Sequence, residues 1–437
     1  MSDRYLIISA DTHAGLPCDE YRPYLEARYH AAFDDYLAER HANREALLTM
    51  NYDYIMGWEH DNEEGLRGGF DPQQRDKELD ADGVSAEVMF ADADAITGMA
   101  SPPFGAGLSA GTITDPDLAF AGAHAHNRFL AELCAVNPVR RGGVGLVPIT
   151  HDIDRGVEEV EWLAAQPGIR GVMVPTMWHD HLPYNHPAYD RVWAACQAAE
   201  LPVHTHSGEA PQDEYNENIG IYLAEVVWWT ARPMWHLLFS GAFERFPSLK
   251  FVVTEGAAYW AADMMWKWDQ YMGGGHTTAK LAAMLKGKIS RLPSDYFGTN
   301  LFIGASTMSR EEIRRRHVIG CDTVMWGTDY PHPEGTWPHT VARLRSDFAD
   351  VPVEDAELLL GLTAARCYGF DVDALRPLAD RIGPTPADLV SRRMVDLNWS
   401  ERASIQVGRI VGPVPRADLV PFIHQRYDDL SVLGARR

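Results

Sequence analysis

Acidic and imidazole side chains recur at the ends of short apolar segments in this 437-residue chain. The first such segment, LIISADTHAG at residues 6–15, runs directly into Asp11 and His13. Side chains two residues apart on a β-strand point to the same face, so these two groups can be directed at one point. A carboxylate and an imidazole that converge in this way are typical ligands of a divalent transition metal. We therefore expect part of a metal site here.

The same residue types return at the ends of later segments. The further candidate ligands are His204, His206, Glu255, Asp329 and His332. A set of carboxylates and imidazoles without thiolates suits Zn²⁺, Mn²⁺ or Fe²⁺, and its carboxylate-rich character favours iron or manganese. His204 has a second interpretation, as a residue one layer deeper that only orients His206. His332 has a second interpretation too, as a hydrogen-bonded loop residue.

Eight β-rich segments alternate with segments that carry apolar residues at helical spacing. The eight are residues 5–13, 84–92, 141–150, 169–177, 201–208, 249–256, 300–306 and 323–331. This alternation predicts an α/β fold, a (β/α)8 TIM barrel. In such a barrel the βα loops converge at the C-terminal ends of the strands, which is where the candidate ligands fall. This placement is the main argument for the site.

Two regions are predicted to lie outside the regular barrel. The long separation of the first two strands predicts an insertion at about residues 16–80, whose Tyr52, Tyr54 and Trp58 are candidates for lining an apolar pocket. The barrel is expected to occupy residues 1–372, and residues 373–437 are expected to form a C-terminal extension that packs on it.

The composition of the chain indicates which partners and which compartment to expect. The net charge of -23, from 62 acidic and 39 basic residues, argues against nucleic acid and anionic lipid as partners. Without an apolar run of about 18 residues or a signal-peptide pattern, we expect a cytoplasmic protein with no membrane segment. Five cysteines without CxxC spacing fit a reducing compartment. A small-molecule substrate is the expected partner, and the outer helices of such a barrel are compatible with a homodimer.

The order of the motifs resembles that of the amidohydrolase superfamily, in particular the branch of aminocarboxymuconate-semialdehyde decarboxylase and related aromatic-acid decarboxylases. The motifs are DTH, LPVHTHSG and WGTDYPHPEGTWP, and the resemblance covers roughly residues 5–370. It implies that Asp11, His13, His206 and Asp329 bind a metal and that Asp329 also handles a proton.

Two departures from the superfamily pattern bear on the chemistry. No lysine lies between Lys77 and Lys250, so the carboxylated lysine that bridges two metals in dinuclear members has no counterpart. Decarboxylases of the branch place a catalytic histidine after the sixth strand, where this chain has Glu255. A carboxylate is a poor substitute for a proton-donating imidazole but a good ligand for a second metal.

With these departures, the motifs SADTHAGLPCDEYRPYL, LPVHTHSG, VVTEGAAYW and TDYPHPEGTWP resemble a narrower subgroup, the TIM-barrel non-haem diiron monooxygenases. That resemblance implies one or two irons and O₂-dependent hydroxylation of a hydrophobic or aromatic carboxylic acid, free or as a thioester. Asp329, Glu255 and His332 would then be catalytic. The alternative is a redox-neutral hydrolase or decarboxylase that uses zinc or manganese, with Asp329 as the proton shuttle.

A non-catalytic binding protein on a decayed barrel is a third hypothesis, which the complete ligand set disfavours. For the substrate, Arg67, Arg75 and Arg232 are candidates for binding a carboxylate or phosphate, because a guanidinium matches both in a bidentate way. Surface salt bridges are the alternative role of these arginines.

Overall fold

The computed structural model describes residues 4–47, 62–93, 100–216, 218–273 and 279–389. Its eight strands form one parallel sheet in chain order, which confirms the predicted (β/α)8 barrel. The strands are β1 Ile8–His13, β2 Ala86–Phe90, β3 Arg141–Leu146, β4 Ile169–Met173, β5 Val203–His206, β6 Phe251–Thr254, β7 Leu301–Ser306 and β8 Val324–Trp326. Each lies within a segment that the sequence predicts to be β-rich.

The sheet closes where β1 meets the segment that follows β8. The amide of His13 donates to the carbonyl of Tyr330 at 2.7 Å, and the amide of Asp329 donates to the carbonyl of Asp11 at 2.9 Å. These bonds tie the C-terminal end of the first strand to the chain just beyond the last one. Closure therefore takes place at the residues that carry three of the candidate ligands.

Helices cover the outside of the barrel, and several begin at an Asp or Asn whose side chain accepts the first free backbone N–H groups. Asp71, Asp115, Asp152 and Asn218 cap four of them in this way. The helices are His30–Leu47, Pro72–Ala81, Pro116–Val136, Ile153–Ala164, Asp190–Ala198, Ile219–Ser240, Ala242–Arg245, Ala261–Gly273, Ala279–Lys286, Arg310–Arg314, Arg316–Ile319, Thr340–Phe348, Val353–Glu357, Leu358–Leu362 (π), Thr363–Tyr368 and Val372–Ile382.

Alternate strand residues face the barrel interior, where they form a separate apolar cluster. Its members on the strands are Ile8, Ala10, Ala86, Val88, Phe90, Val144, Leu146, Met173, Val252, Phe302 and Met325. Tyr368 and Phe370, at and after the end of helix Thr363–Tyr368, belong to the same cluster. The opposite strand faces pack against the surrounding helices in a larger cluster. The interior below the strand ends is therefore filled mainly by apolar side chains.

Strand β1 contains an irregularity that changes which of its residues face inward. Ser9 pairs with Glu87 and Thr12 with Met89, so β1 spans three positions where β2 spans two. The extra residue is a β-bulge, which interrupts the two-residue alternation. Ile8 faces the interior cluster below the bulge. Beyond it, Thr12 bonds to Glu87 on the outer side, and Asp11 and His13 point inward.

The two regions predicted outside the barrel are only partly described. Tyr52, Tyr54 and Trp58 lie outside the described residues. Of residues 373–437, the structure describes those up to Leu389, and there Pro384 accepts a hydrogen bond from the amide of Tyr5 at 2.9 Å. The domain boundaries stay a prediction. Within the described ranges, no helix is long and apolar enough to cross a bilayer.

Candidate metal centre

Four buried side chains converge at the C-terminal end of the barrel: Asp11 and His13 from β1, His206 from β5 and Asp329 beyond β8. Asp11 Oδ1 lies 3.3 Å from His206 Nε2 and 3.5 Å from His13 Nε2. His13 Nε2 is also 3.2 Å from Asp329 Oδ1. The convergence that the sequence predicts for these four residues is present in the structure.

Backbone carbonyls orient both imidazoles. His13 donates from Nδ1 to the carbonyl of Ala91 at 2.6 Å, and His206 donates from Nδ1 to the carbonyl of Ser207 at 2.9 Å. Each ring therefore presents its Nε2 lone pair to the centre, the arrangement expected of metal-binding histidines. Within the described part of the chain, the buried atoms His13 Nε2 and Asp329 Oδ1 lie close to each other but form no well-aligned hydrogen bond. Two imidazoles and two carboxylates with such unsatisfied atoms fit a divalent cation.

Asp11 is held from two sides. The hydroxyl of Ser306, the last residue of β7, donates to Asp11 Oδ2. A side chain at Gly327 would place its Cβ 2.8 Å from Asp11 Cβ, so the absence of a side chain there lets the Asp11 backbone approach β8. Ser306 was not among the residues predicted for the site, although its place at the end of a predicted strand is the signal that marks the other ligands.

The carboxylates set the protonation of the centre. Burial lowers the pKa of His206, but Asp11 and Glu255 outweigh it and raise that pKa to about 9. Burial and the neighbouring Asp329 carboxylate raise the pKa of Glu255 to about 8. Burial also raises the pKa of Asp329, yet His332 and His13 outweigh this effect and lower it. A divalent ion held by these carboxylates would displace the protons that otherwise balance their negative charge.

His332 contacts Asp329 from the side. Its Nδ1 lies 3.0 Å from Asp329 Oδ1, its Nε2 donates to the carbonyl of Asp92 at 2.8 Å, and its ring stacks on that of His13 with centroids 3.9 Å apart. The structure therefore brings His332 to the centre as a neighbour of two donors, with one ring nitrogen committed to the backbone.

His204 is not brought into the centre. Its Nδ1 is 3.0 Å from the hydroxyl of Thr254, and its ring stacks on Tyr368 with centroids 5.5 Å apart. Burial lowers its pKa to about 3, so the imidazole is neutral. The prediction that His204 is a metal ligand does not match this position, because the strand rise separates it from the ligand layer. The alternative interpretation, a residue one layer deeper, describes its place.

Glu255 sits at the rim of the centre, with its side chain 22% exposed and one carboxylate oxygen 3.6 Å from His206 Nδ1. Its carboxylate, that of Asp329 and that of Glu334 have oxygens within 4.8 Å of one another. Glu334 was missed at the sequence level, although it lies two residues after His332 in the motif PHPEG. Glu255, Ser306 and Asp329 all have positive φ angles, of 52°, 50° and 60°. Such angles in non-glycine residues cluster at functional sites.

The arginines proposed for substrate binding bind protein groups. Arg75 is fully buried and forms an ion pair with Glu87. Arg67 pairs with Asp71 at 3.5 Å, and the guanidinium of Arg232 lies 4.1 Å from the ring centroid of Trp178.

Comparison with known proteins places the chain in a family. The Amidohydro_2 family model, described as amidohydrolase, matches residues 71–370. The chain belongs to this amidohydrolase family. The structure is similar to that of 5-carboxyvanillate decarboxylase from Sphingomonas paucimobilis, with a TM-score of 0.59 and 22% identity. The match covers 84% of this chain and 100% of that one. No curated protein matches the chain in sequence.

Two further decarboxylases share the fold. The 2,6-dihydroxybenzoate decarboxylase from Rhizobium matches with a TM-score of 0.57 and 19% identity, over 84% of this chain and 99% of that one. A manganese-bound 5-carboxyvanillate decarboxylase from Novosphingobium aromaticivorans matches with a TM-score of 0.61 and 17% identity, over 84% of this chain and 98% of that one.

These matches correct the predicted activity. The prediction of an O₂-dependent, non-haem diiron monooxygenase is wrong, because the proteins that share this fold are decarboxylases and amidohydrolases. The redox-neutral alternative is the one that these findings favour. The error arose from the carboxylate-rich ligand set, since ligand type restricts the identity of a metal only loosely and does not determine whether it exchanges electrons.

Proposed function

We propose that this amidohydrolase is a metal-dependent, redox-neutral decarboxylase of an aromatic carboxylic acid. The observation that carries the proposal is the convergence of Asp11, His13, His206 and Asp329 at the C-terminal end of the barrel. The activities of the decarboxylases with the same fold support the type of reaction, and the manganese in one of them supports the type of cofactor.

The four donors suit one divalent ion such as Mn²⁺ or Zn²⁺, and Fe²⁺ has similar ligand preferences. A bound ion supplies a Lewis acid that neutralises and orients the substrate carboxylate. A carboxylated lysine that would bridge a second ion has no candidate, because the chain has no lysine between Lys77 and Lys250. The proposal therefore uses a single ion.

The remaining groups at the centre handle the proton. Decarboxylation breaks the bond between the ring carbon and the carboxyl carbon, CO₂ leaves, and the ring carbon accepts a proton in its place. Asp329 and Glu255 are the carboxyl groups that face this region, and Glu255 lies on the more open side. We assign Asp329 to proton transfer at the substrate and Glu255 to proton supply from solvent. His332, bonded to the Asp92 carbonyl, keeps the Asp329 carboxylate in place.

The test is CO₂ release under anaerobic conditions. The Mn²⁺-loaded protein is incubated with a panel of hydroxylated aromatic acids in D₂O, and we expect CO₂ and a product with one deuterium in place of the carboxyl group. The same reaction in air serves as the control and should proceed at the same rate. Elemental analysis of protein purified without added metal identifies the ion.

The proposal fails if no acid in the panel releases CO₂ from protein that has bound the ion. Hydrolysis of esters, lactones or amides by the same preparation, without CO₂ release, would assign the centre to a hydrolase instead.

A further inference from the structure

A buried arginine behind the candidate centre donates hydrogen bonds to the strand that carries two of the ligands. Arg75 donates from Nε and Nη2 to the two carboxylate oxygens of Glu87 at 2.6 and 2.8 Å. Its Nη1 donates to the carbonyls of His13 and Gly68, both at 2.9 Å, and its Nη2 also donates to the hydroxyl of Thr12 at 3.0 Å. These bonds account for all five N–H donors of a guanidinium.

The bonds reach β1 where its sheet pairing is interrupted. Thr12 lies between Asp11 and His13 on the outer side of the strand, and its hydroxyl also contacts the carbonyl of Val88 on β2 at 2.9 Å. The bulge leaves the segment from Ser9 to Thr12 without regular register against β2. Because Arg75 bonds to the side chain of Thr12 and to the carbonyl of His13, it restricts rotation of the peptide units that direct both inward side chains.

Arg75 also contacts the chain beyond β8. Its guanidinium carbon lies 5.0 Å from the ring centroid of Tyr330, the residue that follows Asp329. The Tyr330 carbonyl accepts the hydrogen bond from the amide of His13, and its hydroxyl donates to the carbonyl of Gly65 at 2.6 Å. One cation therefore touches both chain segments that present the candidate ligands on this side of the barrel.

We propose that the Arg75–Glu87 pair is a positioning element of the metal centre, which holds β1 and the segment after β8 in the geometry that binds the ion. The inference rests on the proposed function only in requiring that the centre binds a divalent cation. Replacement of a buried ion pair by apolar side chains of similar volume is often neutral or favourable for stability, so stability alone does not require this pair. A planar guanidinium fixes direction, which a lysine ammonium or an apolar side chain does not.

The test measures the affinity for Mn²⁺ alone, by isothermal titration calorimetry of the full chain. Two variants remove the guanidinium with its directed hydrogen bonds. They are Arg75→Lys and the double variant Arg75→Met with Glu87→Leu, which leaves no unpaired charge. We expect both to bind Mn²⁺ about ten- to a hundredfold more weakly, the usual effect of losing a group that orients a metal ligand. The double variant should unfold at a moderately lower temperature than the wild type, because the carbonyls of His13 and Gly68 lose a donor.

Arg141 provides a matched control. It is also fully buried, and it donates to the carbonyl of Leu133 at 3.0 Å and to Asp76 at 2.8 Å, but it lies at the start of β3, away from the ligand-bearing strand ends. Arg141→Lys should lower the unfolding temperature and leave the affinity for Mn²⁺ unchanged.

Wild-type affinity in both Arg75 variants, or equal weakening in Arg141→Lys, overturns the inference. A wild-type chain that does not bind Mn²⁺ overturns the proposed metal centre together with it. Normal Mn²⁺ binding without CO₂ release would contradict only the proposed reaction.

Discussion

His204 and His206 stand two residues apart on β5, are both buried and both face the barrel interior, yet they have opposite surroundings. His206 has a carboxylate of Asp11 at 3.3 Å and one of Glu255 at 3.6 Å. His204 meets the hydroxyl of Thr254 and the ring of Tyr368. Their pKa values diverge accordingly, to about 9 for His206 and about 3 for His204.

The difference shows that depth along the strand, more than residue type or burial, decides whether a histidine joins the centre. Two residues of a strand rise by about 6.6 Å. Over that distance the barrel interior changes from a layer of carboxylates to a layer of apolar and aromatic side chains. The lower histidine is therefore a neutral packing residue, and the upper one faces charged groups.

The largest expected effect separates these two histidines directly. His206→Asn should weaken Mn²⁺ binding by more than about a hundredfold, because the loss of a ligand exceeds the loss of a group that orients one. His204→Asn should keep the affinity and lower the free energy of unfolding by roughly 1–3 kcal/mol, since it disturbs a buried hydrogen bond. Calorimetry with Mn²⁺ and chemical denaturation measure the two quantities. Equal loss of affinity in both variants would show that the layers do not differ in this way.

A second pair of variants displaces a residue in each layer through a neighbouring glycine. The Cβ of Gly327→Ala would lie 2.8 Å from Asp11 Cβ, and that of Gly171→Ala would lie 2.9 Å from His204 Nε2. We expect the first to weaken Mn²⁺ binding by about ten- to a hundredfold through movement of a ligand. The second should cost roughly 1–3 kcal/mol of stability through overpacking, with unchanged affinity. Weaker Mn²⁺ binding in Gly171→Ala than in Gly327→Ala would contradict the assignment of the two layers.

A third pair removes one hydroxyl from each layer. Ser306→Ala deletes the hydrogen bond to Asp11, and Thr254→Val deletes the hydrogen bond to His204. The affinity for Mn²⁺ should fall about tenfold in Ser306→Ala and stay at the wild-type value in Thr254→Val. Thr254→Val should lower the unfolding free energy by about 1 kcal/mol. Titration and denaturation of both variants in parallel provide the measurement.

The effect that is smallest at neutral pH concerns another buried imidazole, His126, whose pKa burial lowers to about 3. In the unfolded chain its pKa is about 6.5, so only the unfolded state binds the proton between these values. Stability is therefore lost as the pH falls from about 6.5 towards 3, at up to about 1.4 kcal/mol per pH unit from this residue. In His126→Gln, the free energy of unfolding should fall less steeply as the pH decreases below about 6.5. The difference in slope should correspond to about one proton. An unchanged slope would mean that burial does not keep this imidazole neutral.

Much of the fold could be predicted from the chain because its signals are local. Each β-rich segment and each helical segment carries its own periodicity, and all eight strands lie where those patterns predict them. The convergence of Asp11, His13, His206 and Asp329 follows from the rule that a barrel collects functional groups at the C-terminal ends of its strands. The place of His204 could not be predicted, because the two-residue alternation of a strand does not show how deep a side chain lies in the barrel. The role of Arg75 could not be predicted either, because a sequence does not show which residue pairs with a buried charge.

The activity could not be predicted from the residue types, for a chemical reason. Carboxylates such as Asp11 and Asp329 suit several divalent ions, so their number does not separate a redox-active centre from a Lewis-acid centre. The decarboxylases that share this fold, together with the amidohydrolase match over residues 71–370, favour the Lewis-acid alternative that residue types did not distinguish.

The sequence by itself determined the order of strands and helices and the residues that end each strand. Only the tertiary structure decided which of those residues face one another. Continued alternation from Ile8 would direct Thr12 inward, and the bulge between Ser9 and Thr12 directs Asp11 and His13 there instead. Closure of β1 against the chain after β8 then brings Asp329 to them. These contacts join distant parts of the chain, and the periodicity of a local sequence indicates only the local secondary structure.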